Sequence, residues 1–176
     1  MVLGVRVVVR AAAIADAAAM GRVHVLSWQA AYPGLIPQDY LDGLDVNQRA
    51  DHWRHALSRS RERAPLLVAV AGDDVVGFTG FGPVLDEPKL PAVGQLYGID
   101  VRPDRWDTGV GGALLAAVHA GLAEHGFRSA VLWVLPGNHR ARVVYERYGW
   151  QSDGANRTAD VFGVTLPEIR YRRRLP

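Results

Sequence analysis

Cysteine is absent from the 176-residue sequence. Its absence excludes disulfide bonds, thiolate metal sites and any mechanism that uses a cysteine nucleophile. Histidine offers little more for a metal ion: His52 and His55 are close in sequence, but no carboxylate stands in a pattern that would supply a third ligand. We therefore expect no metal cofactor. The cysteine count by itself does not indicate a cellular compartment.

Long apolar runs are also missing. No stretch approaches the roughly 20 apolar residues that a membrane-spanning helix needs. The N-terminal segment is apolar, but Arg6 and Arg10 interrupt it and its alternation is that of a strand, so it does not resemble a signal peptide. These observations predict a soluble cytoplasmic protein without a membrane partner.

The charge is weakly positive and spread along the chain. Lysine and arginine number 20 against 18 acidic residues, for a net charge of +2. Because nucleic-acid binding needs a concentrated basic face, no nucleic-acid partner is expected. Arg170 and residues 172–174 form a dense basic cluster, which we interpret as a last strand with solvated arginines. The hydrophobic content of 49% suffices for an ordinary core, and the length fits a single domain over residues 1–176.

The order of predicted elements indicates helices packed on a mixed sheet, an α/β arrangement. Strands are predicted from apolar alternation and β-branched runs, and helices from their periodicity and capping residues. The predicted strands are residues 5–10, 66–71, 75–81, 95–101, 130–135, 150–153 and 166–173. The predicted helices begin at Asp16, Pro37, Asp45 and Gly109, and a last helix covers residues 139–148.

The most informative stretch joins a strand to a helix through a loop that contains glycine, Trp106-Asp-Thr-Gly109-Val-Gly111-Gly112. The first amides of a helix have no partner within it, and glycine allows an anion to come close to them, so the stretch suits a phosphate or pyrophosphate. Glycines also open helices for packing reasons, which leaves this signal weak on its own. A P-loop is excluded because no Gly-Lys-Ser/Thr is present. A dinucleotide site of an oxidoreductase fits poorly, because the loop lies mid-chain and lacks the third glycine.

Two motifs together resemble the GCN5-related N-acetyltransferase (GNAT) family. Val101-Arg-Pro103 followed by Trp106-x-x-Gly109-x-Gly111 is similar to that family's coenzyme loop, Arg/Gln-x-x-Gly-x-Gly/Ala after a Val-x-Pro, with Trp106 as the departure. Asn138-x-x-Ala-x-x-x-Tyr145-x-x-x-Gly149-Trp150 is similar to the family's Asn-x-x-Ala-x-x-x-Tyr-x-x-x-Gly-Phe. The resemblance covers most of the chain and is more specific for the coenzyme half than for the acceptor half. It implies a mixed, mostly antiparallel sheet flanked by helices.

The resemblance also implies an activity: transfer of an acetyl group from acetyl-CoA to an amine of a small molecule or peptide, by direct attack in a ternary complex. Asn138 would hydrogen-bond the pantetheine arm, and Tyr145 would donate a proton to the departing sulfur. The backbone at Ile99 and Val101 would pair with pantetheine, and the Val101 N–H would polarise the thioester carbonyl. The pyrophosphate would be held by the amides of Trp106, Asp107, Thr108, Gly109, Val110, Gly111 and Gly112. Similar proteins are often dimers, so a homodimer is possible.

The general base is the open point. Members of the family often carry a Glu where this chain has Gln95, which cannot accept a proton. Asp100 lies in the same predicted strand, but alternation places it on the face opposite Gln95, Tyr97 and Ile99 unless a β-bulge intervenes. A water chain or an amine of low pKa would serve instead. The missing acid also keeps open a non-catalytic acyl-CoA-binding or regulatory domain of the same fold.

Several aromatic residues have both a structural and a functional interpretation. Tyr145 has helical spacing from Ala141, Val144 and Tyr148 and so would be a core residue without the motif. Trp28, Tyr32 and Tyr97 are candidates for the acceptor cleft, with packing favoured for either Trp28 or Tyr32. Asp86 and Glu87 could attract a cationic amine, although a solvated loop is the simpler interpretation.

Overall fold

The computed structural model describes residues 6–59, 64–85 and 90–176. Residue 5 of the first predicted strand, and both Asp86 and Glu87, lie outside these ranges. The strands are β1 Val7–Ala11, β2 Leu66–Ala71, β3 Asp74–Pro83, β4 Val93–Val101, β5 Ser129–Val134, β6 Gln151–Val161 and β7 Val164–Arg174. The helices are α1 Ala17–Ala31, α2 Gln38–Asp42, α3 Val46–Ser58, α4 Val110–Glu124 and α5 His139–Arg147.

The strands form one sheet in the order β1-β2-β3-β4-β5-β7-β6. Every neighbouring pair is antiparallel except β4 and β5, which are parallel. The predicted mixed, mostly antiparallel sheet is therefore confirmed. Within the described ranges, no helix is both long and apolar enough to cross a bilayer.

Helices cover both faces of the sheet. Val68 and Ala69 are adjacent in β2, and so their side chains point to opposite faces. Val68 packs with Met20 of α1, whereas Ala69 packs with Leu114 of α4. The sheet thus lies between α1 on one side and α4 on the other, with apolar contacts on each face.

The parallel pair in the middle of the sheet separates after a short contact. Residues Val93, Gly94 and Gln95 of β4 pair with Ser129, Ala130 and Val131 of β5. Beyond them β4 continues to Val101 against β3, while β5 continues to Val134 against β7. The two strands therefore part in the centre of the sheet, and one edge of β4 faces the gap.

A β-bulge interrupts β4 and corrects the predicted alternation. The adjacent residues Gly80 and Phe81 of β3 pair with Gly98 and Leu96 of β4. Tyr97, between these two partners, is therefore an extra residue in β4. One extra residue exchanges the faces of all residues that follow it. Asp100 consequently lies on the same face as Gln95, the α1 face. Alternation alone predicts the opposite face, and no residue type in the strand signals the bulge that reverses it.

Helix capping agrees with the sequence at Asp45, whose carboxylate accepts from the Gln48 N–H at 2.8 Å. Asp16 differs. It precedes α1, but its side chain turns back to the Ala13 N–H at 2.7 Å and forms an ion pair with Arg10. Asp16 therefore ties β1 to the start of α1 without capping the helix by its side chain.

The last hairpin is longer than predicted, because β6 extends to Val161 through a polar, exposed sequence that does not alternate apolar residues. Its turn contains Phe162 with φ 53° and Gly163 with φ 84°. A positive φ is unfavourable for phenylalanine, and packing of its ring offsets the cost. The Phe162 ring contacts His24 and Trp28, and the Arg49 guanidinium lies 4.5 Å from its centroid.

Candidate active site

A cleft of about 240 Å³ opens where β4 and β5 separate. Side chains and backbone from α1, the end of β4, the following loop and the facing sides of α4 and α5 line it. These include Ser27, Tyr32, Ile99, Asp100, Val101, Trp106, Asp107, Gly109, Gly111, Gly112, Asn138, Arg140, Tyr145 and Tyr148. The two sequence motifs, which are far apart in the chain, thus meet in one space.

The glycine loop, residues 106–112, places the start of α4 at this cleft. Gly109 precedes the helix with φ 92°, a conformation that glycine adopts without strain, and it provides no side-chain cap. A side chain at Gly111 would meet no atom of the protein within 4 Å. The amides of the first turn are therefore approachable from the cleft, as anion binding requires.

Gly112 is a glycine for a different reason. A Cβ at this position would collide with the hydroxyl of Tyr148, which lies against the helix there. Tyr148 is not among the predicted site residues, yet it lines the cleft. Its position on the cleft-facing side of α5, shared with Val144 and Tyr145, was the available signal.

The edge of β4 presents its backbone to the cleft. The Arg102 N–H donates to the Val76 carbonyl at 2.9 Å, and the Gly98 carbonyl accepts from Thr79 Oγ1 at 2.8 Å, both on the β3 side. Because backbone groups alternate along a strand, those of Ile99 and Val101 point the other way, towards the gap. The Val101 carbonyl accepts from the Trp106 indole N–H at 2.9 Å. The Val101 N–H and both groups of Ile99 remain directed at the cleft.

Two carboxylates line the cleft, Asp100 and the more exposed Asp107. The Oδ1 of Asp100 accepts a hydrogen bond from Ser27 Oγ of α1 at 2.5 Å. Burial raises its pKa to about 6, although hydrogen bonds from Ser27 and Trp28 lower it in part. At neutral pH this side chain is mostly ionised and can accept a proton. Ser27 begins the segment 27–34 that is predicted to form the rim of the acceptor cleft, but its separation of 73 residues from Asp100 left no local signal for their hydrogen bond.

Tyr145, Asn138 and Tyr32 also line the cleft. Tyr145 is buried yet lines the cleft, and its pKa is raised by burial and then by the charge of Asp100, so it stays protonated. Asn138 caps α5, since its Oδ1 accepts from the Ala141 N–H at 3.2 Å. Its side chain also bonds Tyr32, whose own pKa is raised mainly by burial. The predicted cap is thus present, and the candidates Asn138, Tyr145 and Tyr32 lie together.

Five predicted residues do not line the cleft: Thr108 and the buried Val110 at the glycine loop, and Trp28, Tyr97 and Gln95 elsewhere. Trp28 is 6% exposed and packs with Ile36 and Leu41, which leaves Tyr32 as the cleft-lining member of the predicted pair. Tyr97, at the bulge, donates its hydroxyl to the Pro83 carbonyl at 2.8 Å. Gln95 is 4% exposed, and its Oε1 accepts from the Leu85 N–H at 3.0 Å.

Replacing Gln95 by Glu should therefore not increase activity. The new carboxylate would be buried outside the cleft, where its desolvation costs free energy. We expect Gln95→Glu to lower Tm by about 2–8 °C, corresponding to a loss of about 1–2 kcal/mol in a domain of this size. Calorimetry and the rate with one fixed amine test this. A gain in kcat/KM would contradict the placement of Gln95.

The fold and this cleft, with two parallel strands that part beside a helix start, define the acetyltransferase class. The sequence profile described as the Acetyltransferase (GNAT) family matches residues 25–150, and the chain belongs to this family. It is 36% identical over 166 residues to a Bacillus subtilis (strain 168) protein named Uncharacterized N-acetyltransferase YuaI, across 93% of this chain and 90% of that protein. The resemblance inferred from the two motifs is confirmed, and the protein is an acetyltransferase.

Solved structures show the same fold. The PaiA N-acetyltransferase of Thermoplasma acidophilum, in complex with coenzyme A, superposes with a TM-score of 0.77 at 16% identity, over 96% of this chain and 99% of that one. The yncA protein of Salmonella typhimurium, with its cofactor acetyl-CoA, gives 0.69 at 19% identity over 97% and 94%. At such identities the likeness concerns the architecture alone.

Proposed function

We propose that this enzyme transfers the acetyl group of acetyl-CoA to the primary amine of a small molecule or peptide, by direct attack in a ternary complex. The observation that carries the proposal is that Asp100, Tyr145 and the start of α4 line one cleft, with Asp100 close enough for its charge to raise the pKa of Tyr145. A proton acceptor, a proton donor and an anion site therefore share one space. The two solved structures named above contain coenzyme A or acetyl-CoA, which supports the choice of donor.

The residues of the cleft suit acetyl-CoA. The first-turn amides of α4 would hold the pyrophosphate, and the space at Gly111 leaves room for it. The pantetheine arm would lie along β4, with hydrogen bonds to the backbone of Ile99, and Asn138 would bond it from the facing helix. The Val101 N–H would donate to the thioester oxygen, where negative charge develops during attack.

Asp100 would act as the general base and Tyr145 as the general acid. An aliphatic ammonium has a pKa near 10. Its proton must leave before or during attack, and Asp100 would accept it. The amine nitrogen then bonds to the acetyl carbon and the carbon–sulfur bond breaks. Tyr145 would donate its hydrogen bond, and then its proton, to the leaving sulfur. The ammonium loses two protons on becoming an amide: the first would leave to solvent through Asp100 before attack, and Asp100 would accept the second as the carbon–nitrogen bond forms. Tyr145 gives one proton to the sulfur, so passage of one proton from Asp100 back to Tyr145 restores both residues, and each turnover releases one proton to solvent.

An amine panel with detection of the released CoA thiol tests the function directly. We expect thiol release that depends on both the protein and an amine, with acetylated amine formed in equal amount. Cysteine is absent, so no acetyl-cysteine can form. Release of thiol without an acetylated product would contradict the proposed acceptor class.

Replacing Gly111 by Val should abolish coenzyme binding while the fold persists. The new side chain meets no protein atom but fills the space beside the first-turn amides. Wild-type protein should gain about 2.7 kcal/mol of stability at acetyl-CoA concentrations of 100 Kd. Gly111→Val should show no such gain, as measured by thermal shift.

Gly112→Val is the matched control. Its side chain would displace Tyr148, so this variant should have a lower Tm before any ligand is added. Gly111→Val should keep the wild-type Tm without ligand. An unchanged ligand-dependent shift in Gly111→Val would contradict the assignment of the loop.

A further inference from the structure

Arg140 holds a defined position at the rim of the cleft. It is the second residue of α5, and its guanidinium lies 4.5 Å from the centroid of the Trp106 ring. Its Nη1 donates to Asp107 Oδ2 at 2.9 Å. Asp107 has φ 60°, which turns the loop at this point. The Trp106 ring and the Asp107 carboxylate, both in the loop, thus fix the position of the guanidinium.

The charge of Arg140 contrasts with that of the loop itself. Arg102 and Arg105 both pair with Asp104, at 2.6 and 3.5 Å, which neutralises one of their two positive charges. Asp107 adds a further negative charge there. Arg140 brings a positive charge from the opposite wall of the cleft, and its side chain is 48% exposed.

We propose that Arg140 is a ligand of a phosphate group of the coenzyme, with the Trp106 ring as its platform. This rests on the proposed acetyl-CoA function. A guanidinium binds phosphate through two parallel hydrogen bonds, and stacking on an indole fixes its plane in advance. Arg140 and the start of α4 line the same cleft, so the side chain and the amides would bind one anionic ligand from two sides. Asp107 orients the guanidinium, and Arg140 retains donors for the phosphate.

Arg140 also accounts for the departure at position 106. The loop of this chain has an indole where the resembled motif has Arg or Gln, and the indole itself is committed to the Val101 carbonyl. In this structure the cation comes from α5 and rests on that indole. Trp106 of the loop supplies the ring on which the guanidinium stacks, and Arg140 of α5 supplies the positive charge.

The test compares Arg140→Gln with wild type using donors that differ only in their phosphates: acetyl-CoA, acetyl-dephospho-CoA and S-acetylpantetheine. We expect kcat/KM for acetyl-CoA to fall about tenfold, the usual size for loss of one charge-assisted hydrogen-bonding group at a partly exposed site. S-acetylpantetheine, which has no phosphate, should be unaffected. A loss that persists with acetyl-dephospho-CoA assigns the diphosphate, and a loss that disappears assigns the 3′-phosphate.

Two control variants separate binding from structure. Arg22→Gln removes an exposed arginine of α1 outside the cleft and should change nothing. Asp107→Asn keeps a residue that tolerates a positive φ but removes the ion pair. If Arg140 binds phosphate, Asp107→Asn should retain affinity for coenzyme A or increase it.

Three results would overturn the proposal. The first is that Arg140→Gln leaves kcat/KM unchanged, as Arg22→Gln does. The second is that Arg140→Gln loses as much activity with S-acetylpantetheine as with acetyl-CoA. The third is that Asp107→Asn weakens coenzyme A binding as much as Arg140→Gln does, which would mean that the ion pair has a structural role. Failure of wild-type protein to bind coenzyme A at all would instead overturn the proposed function on which this inference rests.

Discussion

Replacing Tyr145 by Phe should lower kcat by about 10²-fold, the usual effect of losing a general acid. The hydroxyl is the only group removed, and the ring still packs in the core with Trp150 and Leu115. Affinity for acetyl-CoA should therefore change little. Steady-state kinetics with a saturating amine, together with a binding measurement for coenzyme A, separate the two effects.

Tyr148→Phe is the control for this prediction. Tyr148 lies three residues after Tyr145, directly after the end of α5, and lines the same cleft, where its hydroxyl lies against Gly112 at the start of α4. Its kcat should stay within about threefold of wild type, as expected for a residue that makes no transition-state contact. If Tyr145→Phe also stays within that range, Tyr145 is structural and another group protonates the sulfur.

Replacing Asp100 by Asn should lower kcat/KM by about 10²-fold near pH 8 and remove an ionisation from the pH profile. Because burial raises the pKa of Asp100 to about 6, the wild-type rate should fall as pH decreases through 6 and the base becomes protonated. The Asn variant should lack this fall and follow the pKa of the amine alone. The measurement is kcat/KM against pH for both proteins with one amine.

Ser27 provides an independent check. Its hydroxyl donates to Asp100 at 2.5 Å and favours the ionised form. Ser27→Ala should therefore raise the pKa of Asp100 and move the fall in rate to higher pH, with a smaller loss at pH 8. If the ionisation near pH 6 persists in Asp100→Asn, a residue other than Asp100 is the base.

The same pKa has a consequence for stability. The folded state holds the Asp100 proton more tightly than the unfolded state, so the contribution of this residue is favourable below about pH 4 and is lost as pH rises to 6. Above pH 6 the folded protein carries the cost of a buried carboxylate. Asp100→Asn should therefore have a Tm equal to or higher than that of wild type at pH 8. Inactivation without destabilisation would distinguish a functional residue from a structural one.

Local sequence patterns predicted most of the fold. Periodicity and glycines at helix ends identified α4 and α5, and Asp45 identified the start of α3, because these signals act within a few residues. Both motifs predicted which residues would meet in the cleft. Their catalytic and binding roles remain predictions until the variants are measured.

The features that sequence could not provide depend on distant contacts. The bulge at Tyr97 follows from how β3 and β4 pair, and it alone determines that Asp100 shares a face with Gln95. The bond from Ser27 joins α1 to β4 on one face of the sheet, between residues 73 positions apart in the chain. Trp106 was predicted as a departure from a motif, but the stacking of Arg140 on it becomes visible only when α5 is placed beside the loop.

The outward-facing backbone of β4 bears on how such an enzyme can evolve. Hydrogen bonds from Ile99 and Val101 would be made by main-chain groups, which every residue type carries. The side chains at these positions take no part in those bonds, so they can vary within the limits set by their packing against the α4 side of the sheet. Under the proposed function, mutational drift in this region should alter the acceptor end of the cleft more readily than donor recognition, so that new acceptor specificities can arise on an unchanged coenzyme site.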